Sequence, residues 1–200
     1  MTLEQTWAAL AAAATGTSTL EATAAVLGVA EVLLAIRTLR LNWIAAFLST
    51  LLYVRVLLDS HLYLQSGLQV FYLLVAVHGW RVWGADGAGA RPVTRGRLSG
   101  QFAAVAAVLS LGWGIGAVLQ GTGAADPGLD AVTTVASLYA TWLQAEKRLE
   151  NWPWWVLIDT ATAVLFARQG LWASFVLYGV FVVLAALGWY RWSKLVAETP

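Results

Sequence analysis

Seven long apolar stretches constrain the fold of this chain more than any other feature. A helix needs about 20 residues to cross the ~30 Å hydrocarbon core of a bilayer, and each stretch approaches or reaches that length. Because lipid offers no partner to backbone N–H and C=O groups, each stretch is predicted to be a helix. The predicted spans are 19–36, 41–58, 62–83, 101–119, 128–145, 151–168 and 171–193.

The composition favours a membrane protein over a soluble one. Of the 200 residues, 60% are hydrophobic and 12% charged, whereas a soluble domain carries about 25% charged residues. The mean hydropathy is +0.69. The net charge of +1, without basic clusters between aromatic residues, argues against a nucleic-acid partner. The sequence therefore predicts an all-α, multi-pass membrane protein whose large partner is the lipid bilayer.

The basic residues predict how the chain is oriented. If the N-terminus lies outside, ten of the twelve basic residues lie on the cytoplasmic side, as the positive-inside tendency requires. Only Arg55 and Arg168 fall near the outer side. The segment 1–16 has no basic region of the kind that begins a cleaved signal peptide, so no signal peptide is expected. The prediction is an outer N-terminus and a cytoplasmic C-terminus.

An internal repeat relates the two ends of the chain. Asn42-Trp43 recurs as Asn151-Trp152, and the pattern Gly-Trp-x-x-Trp that begins at Gly79 has a counterpart, Gly-Trp-x-Arg-Trp, at Gly188, both at an offset of 109 positions. Parallel repeats of this kind are typical of transporters that bind substrate where the halves meet; the alternative is a duplicated scaffold without a transport path. The predicted organisation is an outer segment (1–18), a first three-helix repeat (19–83), a basic, flexible cytoplasmic loop and linker helix (84–127), a second repeat (128–193) and a tail (194–200).

Asp159 is the polar residue that most needs a reason for its position. It lies eight residues into the sixth span, about 12 Å deep, where a charge costs at least about 2.5–3.5 kcal/mol. Trp152 and Trp155 share its helical face by their spacing of three and four residues. Two indoles and a carboxylate suit a flat, cationic, heteroaromatic ligand. The alternative is that Asp159 pairs with a neighbouring hydroxyl or a helix dipole.

Other polar residues lie at comparable depths in the two repeats. Glu31 is a second deep carboxylate, and Gln69 and Tyr72 share one face of the third span. Tyr178 occupies the repeat position of Gln69, and Thr50 that of Asp159. Polar groups at matching depths are what a pseudo-symmetric binding pocket presents, but hydrogen bonds between helices explain such residues equally well.

Tryptophans gather at the predicted cytoplasmic ends of the spans, where an aromatic belt explains most of them. Trp155 is the best candidate for a further role, because it shares a face with Asp159; Trp152 lies on the same face, and Trp113 and Trp142 are possible walls of a pocket. The chain has no cysteine, its two histidines stand apart, and it lacks a nucleotide-binding P-loop. We therefore expect no enzyme activity, no metal and no cofactor. The belt prediction covers Trp43, Trp80, Trp83, Trp152, Trp154, Trp189 and Trp192.

The stretches LYLQSGLQVFYLLVAVHGWRVW and KRLENWPWWVLIDTATAVLF resemble the PnuC family of bacterial vitamin transporters. The resemblance covers residues 42–83 and 130–193 and implies two three-helix repeats joined by a linker helix, as in SWEET transporters. It also implies facilitated diffusion of nicotinamide riboside, trapping by a separate cytoplasmic kinase, and a homotrimer. Family members that carry the riboside tend to have asparagine where this chain has Asp159, so thiamine stays open as the vitamin. Proton-coupled transport through Glu31 or Asp159 is a further alternative.

Overall fold

The computed structural model describes residues 19–59, 63–84, 91–120, 126–168 and 170–197. Within these residues the chain forms seven helices and no β-sheet, which confirms the predicted all-α fold. The predicted outer segment, 1–18, lies outside the described residues. The helices are α1 (Thr19–Ile36), α2 (Asn42–Asp59), α3 (Tyr63–Trp83), α4 (Leu98–Val118), α5 (Pro127–Ala145), α6 (Asn151–Arg168) and α7 (Trp172–Ala197).

Two helix ends differ from the prediction by more than one residue. Helix α4 begins at Leu98 rather than at 101, and α7 continues to Ala197 rather than ending at 193. The extra turn of α7 is stabilised because Leu195 and Val196 pack against the buried core. Most of the predicted tail therefore belongs to the last helix.

Residues 91–97, here called the strap, are not the flexible linker that was predicted. Val93 is buried, and the backbone of Thr94 pairs with both Lys147 and Leu149. At one end of the strap Arg91 bonds to Glu146 at 2.7 Å, and at the other Gly96 donates to Glu150 at 2.7 Å. The strap thus lies against the segment that follows α5, residues 146–150.

The odd-numbered helices α1, α3, α5 and α7 all end at one end of the bundle, here called the basic end. The indole of Trp83 in α3 donates to the carbonyl oxygens of Gln144 and Ala145 in α5, at 3.2 and 3.1 Å. The indole of Trp192 in α7 donates to the carbonyl oxygen of Ala35 in α1 at 3.1 Å. These bonds join the two halves at equivalent places of the repeat. Trp192 lies 109 positions after Trp83, and Gln144 lies 109 positions after Ala35.

Four buried indoles form a continuous chain across the basic end. Trp83 and Trp192 lie at its centre with ring centroids 6.0 Å apart. Trp83 also contacts Trp43, in the first turn of α2, and Trp192 contacts Trp152, in the first turn of α6. All four are at most 2% exposed. The belt prediction is therefore wrong for these four residues, because they pack against protein rather than face the membrane interface.

Two glycines make this packing possible. Trp43 lies directly over Gly79, and Trp152 lies directly over Gly188, where a Cβ would come within 2.5 Å of the indole. The turns after α1 and α5 are matched too, since Thr38 and Lys147 both adopt positive φ, at 58° and 50°. In each turn two backbone N–H groups bond back to the last helical turn, which is the Schellman arrangement. The sequence repeat is thus accompanied by the same packing and the same turn geometry in both halves.

The outer surface of the bundle is apolar, as a lipid-facing surface must be. Phe102, Trp113 and Val118 of α4 are 64–81% exposed, and Val183 of α7 is 59% exposed. By length and hydropathy alone, Leu98–Val118 and Ser174–Val196 qualify as spans among the described helices. The remaining helices have shorter apolar runs or direct polar side chains inward, which lowers their mean hydropathy.

Candidate functional site

A cavity of about 480 Å³ lies inside the bundle, within the range of about 300–1,000 Å³ typical of small-molecule sites. Every described helix except α4 contributes to its wall, which fits the role of α4 as a linker. Fifteen of the 21 lining residues come from α5, α6 and α7, so the second half dominates the wall. The wall consists of Gly28, Glu31, Val32, Ala35, Tyr53, Tyr72, Asp130, Thr133, Thr134, Ser137, Gln144, Trp152, Trp155, Ile158, Asp159, Thr162, Leu165, Phe166, Tyr178, Phe181 and Ala185.

The structure brings six of the eight predicted site residues to this wall. They are Glu31, Tyr72, Trp152, Trp155, Asp159 and Tyr178. Because they come from four different helices, no single stretch of sequence contains the site. Their placement makes them available to a ligand, and their roles in binding stay predictions.

Gln69 and Thr50 do not line the cavity. Each lies about one helical turn, roughly 5 Å, from the residue of its own helix that does, which is Tyr72 in α3 and Tyr53 in α2. The repeat offset matched Thr50 to Asp159 correctly in sequence, but the cavity is displaced toward the second half. Some residues of α6 and α7 therefore line the cavity although their repeat equivalents in the first half do not.

Asp159 is buried at 6% exposure and lines the cavity. No described residue forms a hydrogen bond or ion pair with it, so the predicted alternative of a pairing hydroxyl has no support among the described residues. Glu31 and Asp130 add two further carboxyl groups to the same wall, while no lysine, arginine or histidine is among the described lining residues. The cavity therefore favours a ligand that brings positive charge or hydrogen-bond donors.

Gln144 links three helices at the wall. It is 5% exposed, and its Oε1 accepts a hydrogen bond from the indole Nε1 of Trp155 at 3.2 Å. Its backbone carbonyl oxygen accepts a second hydrogen bond, from the indole Nε1 of Trp83 in α3 at 3.2 Å. Because the indole N–H of Trp155 is already engaged, the part of Trp155 left for a ligand is its ring face. Gln144 thus fixes the orientation of a predicted site residue.

Aromatic rings form a further part of the wall. Tyr178 contacts Phe166 at a centroid distance of 5.3 Å and Phe181 at 5.7 Å, edge to face in the second case. Sequence reasoning missed Tyr53, Phe166 and Phe181. The spacing of Phe181, three residues after Tyr178 on one helical face, was the signal that could have found it.

The lining residues also include four pairs of repeat-equivalent positions. They are Gly28 with Ser137, Ala35 with Gln144, Tyr53 with Thr162, and Tyr72 with Phe181. In no pair are the two side chains the same. The cavity thus lies across the pseudo-symmetry axis of the bundle, yet its two sides present different chemistry.

A membrane bundle of two matched helix triplets, with a mostly apolar internal cavity and unpaired buried polar groups, has the architecture of a small-solute transporter. The comparisons with known proteins agree with this class. The family described as "Nicotinamide mononucleotide transporter" matches residues 18–194, and the chain belongs to this family, whose curated relatives include the PnuC proteins. The family and the fold are both those of membrane transporters.

Individual relatives cover different parts of the chain. The nicotinamide riboside transporter PnuC of Haemophilus influenzae is 30% identical over 81 residues, which is 40% of this chain and 35% of that protein. The match therefore spans about a third of that relative's length. The riboflavin/roseoflavin transporter RibM of Streptomyces davaonensis is 29% identical over 184 residues, 84% of this chain and 83% of that protein.

The fold has a close counterpart among solved structures. The crystal structure of the vitamin B3 transporter PnuC superposes with a TM-score of 0.75, covering 98% of this chain and 91% of that one at 23% identity. At this identity the likeness establishes the fold alone. The seven-helix, two-triplet arrangement is thus shared by the two proteins.

Proposed function

We propose that the chain is a facilitated-diffusion uniporter that takes up nicotinamide riboside. The observation that carries this proposal is Asp159, a buried carboxylate without a described partner, on the wall of an aromatic cavity whose described lining includes no basic residue. Nicotinamide riboside offers a flat ring with a positive charge. A ring of that kind matches both the carboxylate and the indole faces.

In this proposal, Trp155 stacks on the nicotinamide ring and Asp159 neutralises its charge, while Trp152, whose ring packs over Gly188, contributes only the small part of its side chain that reaches the wall. Tyr72, Tyr178 and Glu31 bind the ribose hydroxyls and the carboxamide, since they are the other predicted polar residues on the wall. Gln69 and Thr50 have no part in binding. Rocking of the two triplets about the cavity exposes the ligand to each side in turn.

The cellular setting follows from the charge distribution and the family. The basic end faces the cytoplasm of a bacterial cell, because short loops with an excess of Lys and Arg stay inside. The N-terminus is then outside, and the protein lies in the inner membrane. A separate cytoplasmic kinase traps the riboside by phosphorylation, and three copies associate as a homotrimer, as the family resemblance implies.

Riboflavin is the second candidate cargo, and one observation favours it. The relative named as a riboflavin/roseoflavin transporter matches 84% of this chain, far more than the riboside transporters do. Against it stands the wall chemistry, because three carboxyl groups suit a cation better than a neutral ring. Thiamine has a cationic ring, so its charge suits the carboxyl groups of the wall as well as that of the riboside does.

The deciding experiment uses the purified protein in sealed liposomes with no ion gradient. Entry of labelled nicotinamide riboside is followed with and without excess thiamine or riboflavin, and entry of each labelled vitamin is measured in parallel. Saturable riboside entry that neither competitor blocks is the expected result. Saturable entry of thiamine or riboflavin in place of the riboside overturns the cargo, and no entry of any vitamin overturns transport.

A second comparison tests the uniport mechanism. The same liposomes are given an inward proton gradient, and the steady internal concentration of the riboside is compared with the external one. A uniporter equilibrates the two with or without the gradient. Accumulation above the external concentration only in the presence of the gradient would show proton coupling and exclude uniport.

A further inference from the structure

A second groove lies at the basic end, on the outside of the bundle between α1 and α7. Its floor is apolar, formed by Leu33, Ile36, Leu184, Leu187 and Leu195. Its rim carries three cations, Arg37, Arg191 and Lys194, together with the ring of Tyr190. The groove has a volume of about 550 Å³ and includes no acidic residue among its described lining.

The seam between α3 and α5 is the repeat equivalent of the seam between α7 and α1, so the two can be compared. At the α3–α5 seam His78 stacks on Trp142 at 5.0 Å and bonds to Glu146 at 3.0 Å, and Glu146 also binds Arg91 of the strap. The repeat counterparts of His78, Trp142 and Glu146 are Leu187, Leu33 and Arg37. The α3–α5 seam therefore holds a polar groove in which Glu146 is bound to His78 and Arg91, while the α1–α7 groove is apolar and has three cations but no acidic residue among its described lining.

In the described part of the chain no carboxylate forms an ion pair with Arg37, Arg191 or Lys194. Lys194 instead lies over the ring of Tyr190, with its Nζ 4.2 Å from the ring centroid. Leu33 and Leu187 are 46% and 51% exposed, so the apolar floor opens outward beneath the cations.

We propose that this groove binds an anionic phospholipid. Its phosphate diester meets the three cations at the rim, and its acyl chain covers the leucines of the floor. Basic pockets between membrane helices recognise anionic headgroups in this way. The charge complementarity and the position of the rim, where the helices end, favour a lipid over a soluble anion. The proposal concerns a surface outside the cavity and does not rest on the proposed cargo.

Native mass spectrometry of the full-length protein tests the proposal. The probes are phosphatidylglycerol and phosphatidylcholine with identical acyl chains, added in equal amounts. The triple variant Arg37→Gln/Arg191→Gln/Lys194→Gln removes the rim, and Arg81→Gln/Arg95→Gln/Arg97→Gln removes equal charge from the same end outside the groove. We expect the preference for phosphatidylglycerol to fall at least about tenfold in the first variant and to persist in the second.

A charge-preserving variant guards against misfolding. Arg37→Lys/Arg191→Lys should keep the preference, because the cations stay in place. An equal loss in both triple variants would overturn the proposal in favour of general charge attraction. Displacement of the lipid by soluble glycerophosphate at similar concentration would contradict lipid binding and show that the groove binds anions without using its apolar floor. A change in oligomeric mass without loss of lipid would assign the groove to contacts between copies of this chain.

Discussion

Where the tryptophans pack at the basic end, the two halves of the molecule make the same contacts with the same residues, whereas around the cavity they do not. Trp43 over Gly79 is repeated by Trp152 over Gly188, and the indole of Trp83 is matched by that of Trp192. In the cavity the four equivalent lining pairs all differ in side chain. The half that carries Asp159 supplies most of the wall.

The difference separates two demands on a duplicated chain. A closely packed joint between an indole and a backbone tolerates no added atom, so both halves need the same residues there. A binding wall must instead match a ligand that has no two-fold symmetry, so its two sides must differ. Substitutions at matched positions therefore give matched effects at the basic end and unmatched effects in the cavity.

The largest expected effect is that of a methyl group at either packed glycine. Gly79→Ala and Gly188→Ala would each drive a Cβ into an indole, at a cost of about 3 kcal/mol or more. Thermal unfolding in detergent and the yield of folded protein would report it. Gly179→Ala, at a site with nothing within 4 Å, is the control and should unfold like the parent. A stable Gly79→Ala beside an unstable Gly188→Ala would break the equivalence of the two joints.

The next effect separates the halves at the cavity. Asp159→Asn removes the charge while keeping the size of the side chain, and we expect the KM for nicotinamide riboside to rise about tenfold, or about 1.4 kcal/mol. Thr50→Asn, at the equivalent position of the first half, should leave KM unchanged because Thr50 does not line the cavity. Equal effects of the two variants in the liposome assay would contradict the asymmetric site.

A smaller effect is expected at the bond that orients Trp155. Gln144→Leu leaves the indole N–H of Trp155 without its acceptor, which costs about 1 kcal/mol and should raise KM about fivefold. Thr141→Ala is the control on the same helix, since its hydroxyl bonds only to its own helix at Ser137. If both variants transported like the parent, Gln144 would have no influence on the site.

The smallest effect concerns the strap. Burial raises the pKa of the Glu146 carboxyl, but hydrogen bonds from His78 and Arg91 outweigh it, so the pKa lies below the ordinary value of 4.5. Because the folded-state pKa is the lower one, this contribution to stability is present above about pH 4.5 and is lost as the pH falls through the folded-state pKa. Unfolding temperatures between about pH 6 and pH 3 should therefore drop less in Glu146→Gln than in the parent. An identical drop in both proteins would show that the strap is held by its backbone pairing alone.

The fold could be predicted from sequence because the membrane leaves few options for an apolar segment. Helix bounds agreed within about four residues, and the repeated Asn-Trp and Gly-Trp pairs located the matched joints. The burial of Trp43 and Trp192 could not be predicted from the sequence. A tryptophan at a helix end is equally typical of an aromatic belt at the membrane interface and of a protein core. The packing of the strap also escaped prediction, since its polar sequence resembles that of a linker.

The site was predicted only in part, for a geometric reason. Asp159 and Trp155 were found because a carboxylate in an apolar helix is conspicuous by itself. Tyr53 and Phe181 were missed because aromatic residues are common in spans, and only the packing of α2 and α7 shows which of them reach the cavity. Thr50 was included because the repeat suggested a symmetric pocket, which the displaced cavity is not.

The indole bonds that join the two halves end on backbone carbonyl oxygens, and this has a consequence for how such a chain can change over generations. Every amino acid supplies a carbonyl, so the residues at positions 35 and 144 can be replaced without loss of the bond from Trp192 or Trp83. Both side chains point into the cavity wall, as Ala35 and Gln144 do here. A mutation at either position can thus change the chemistry of the cavity wall while the bond that joins the two halves stays in place.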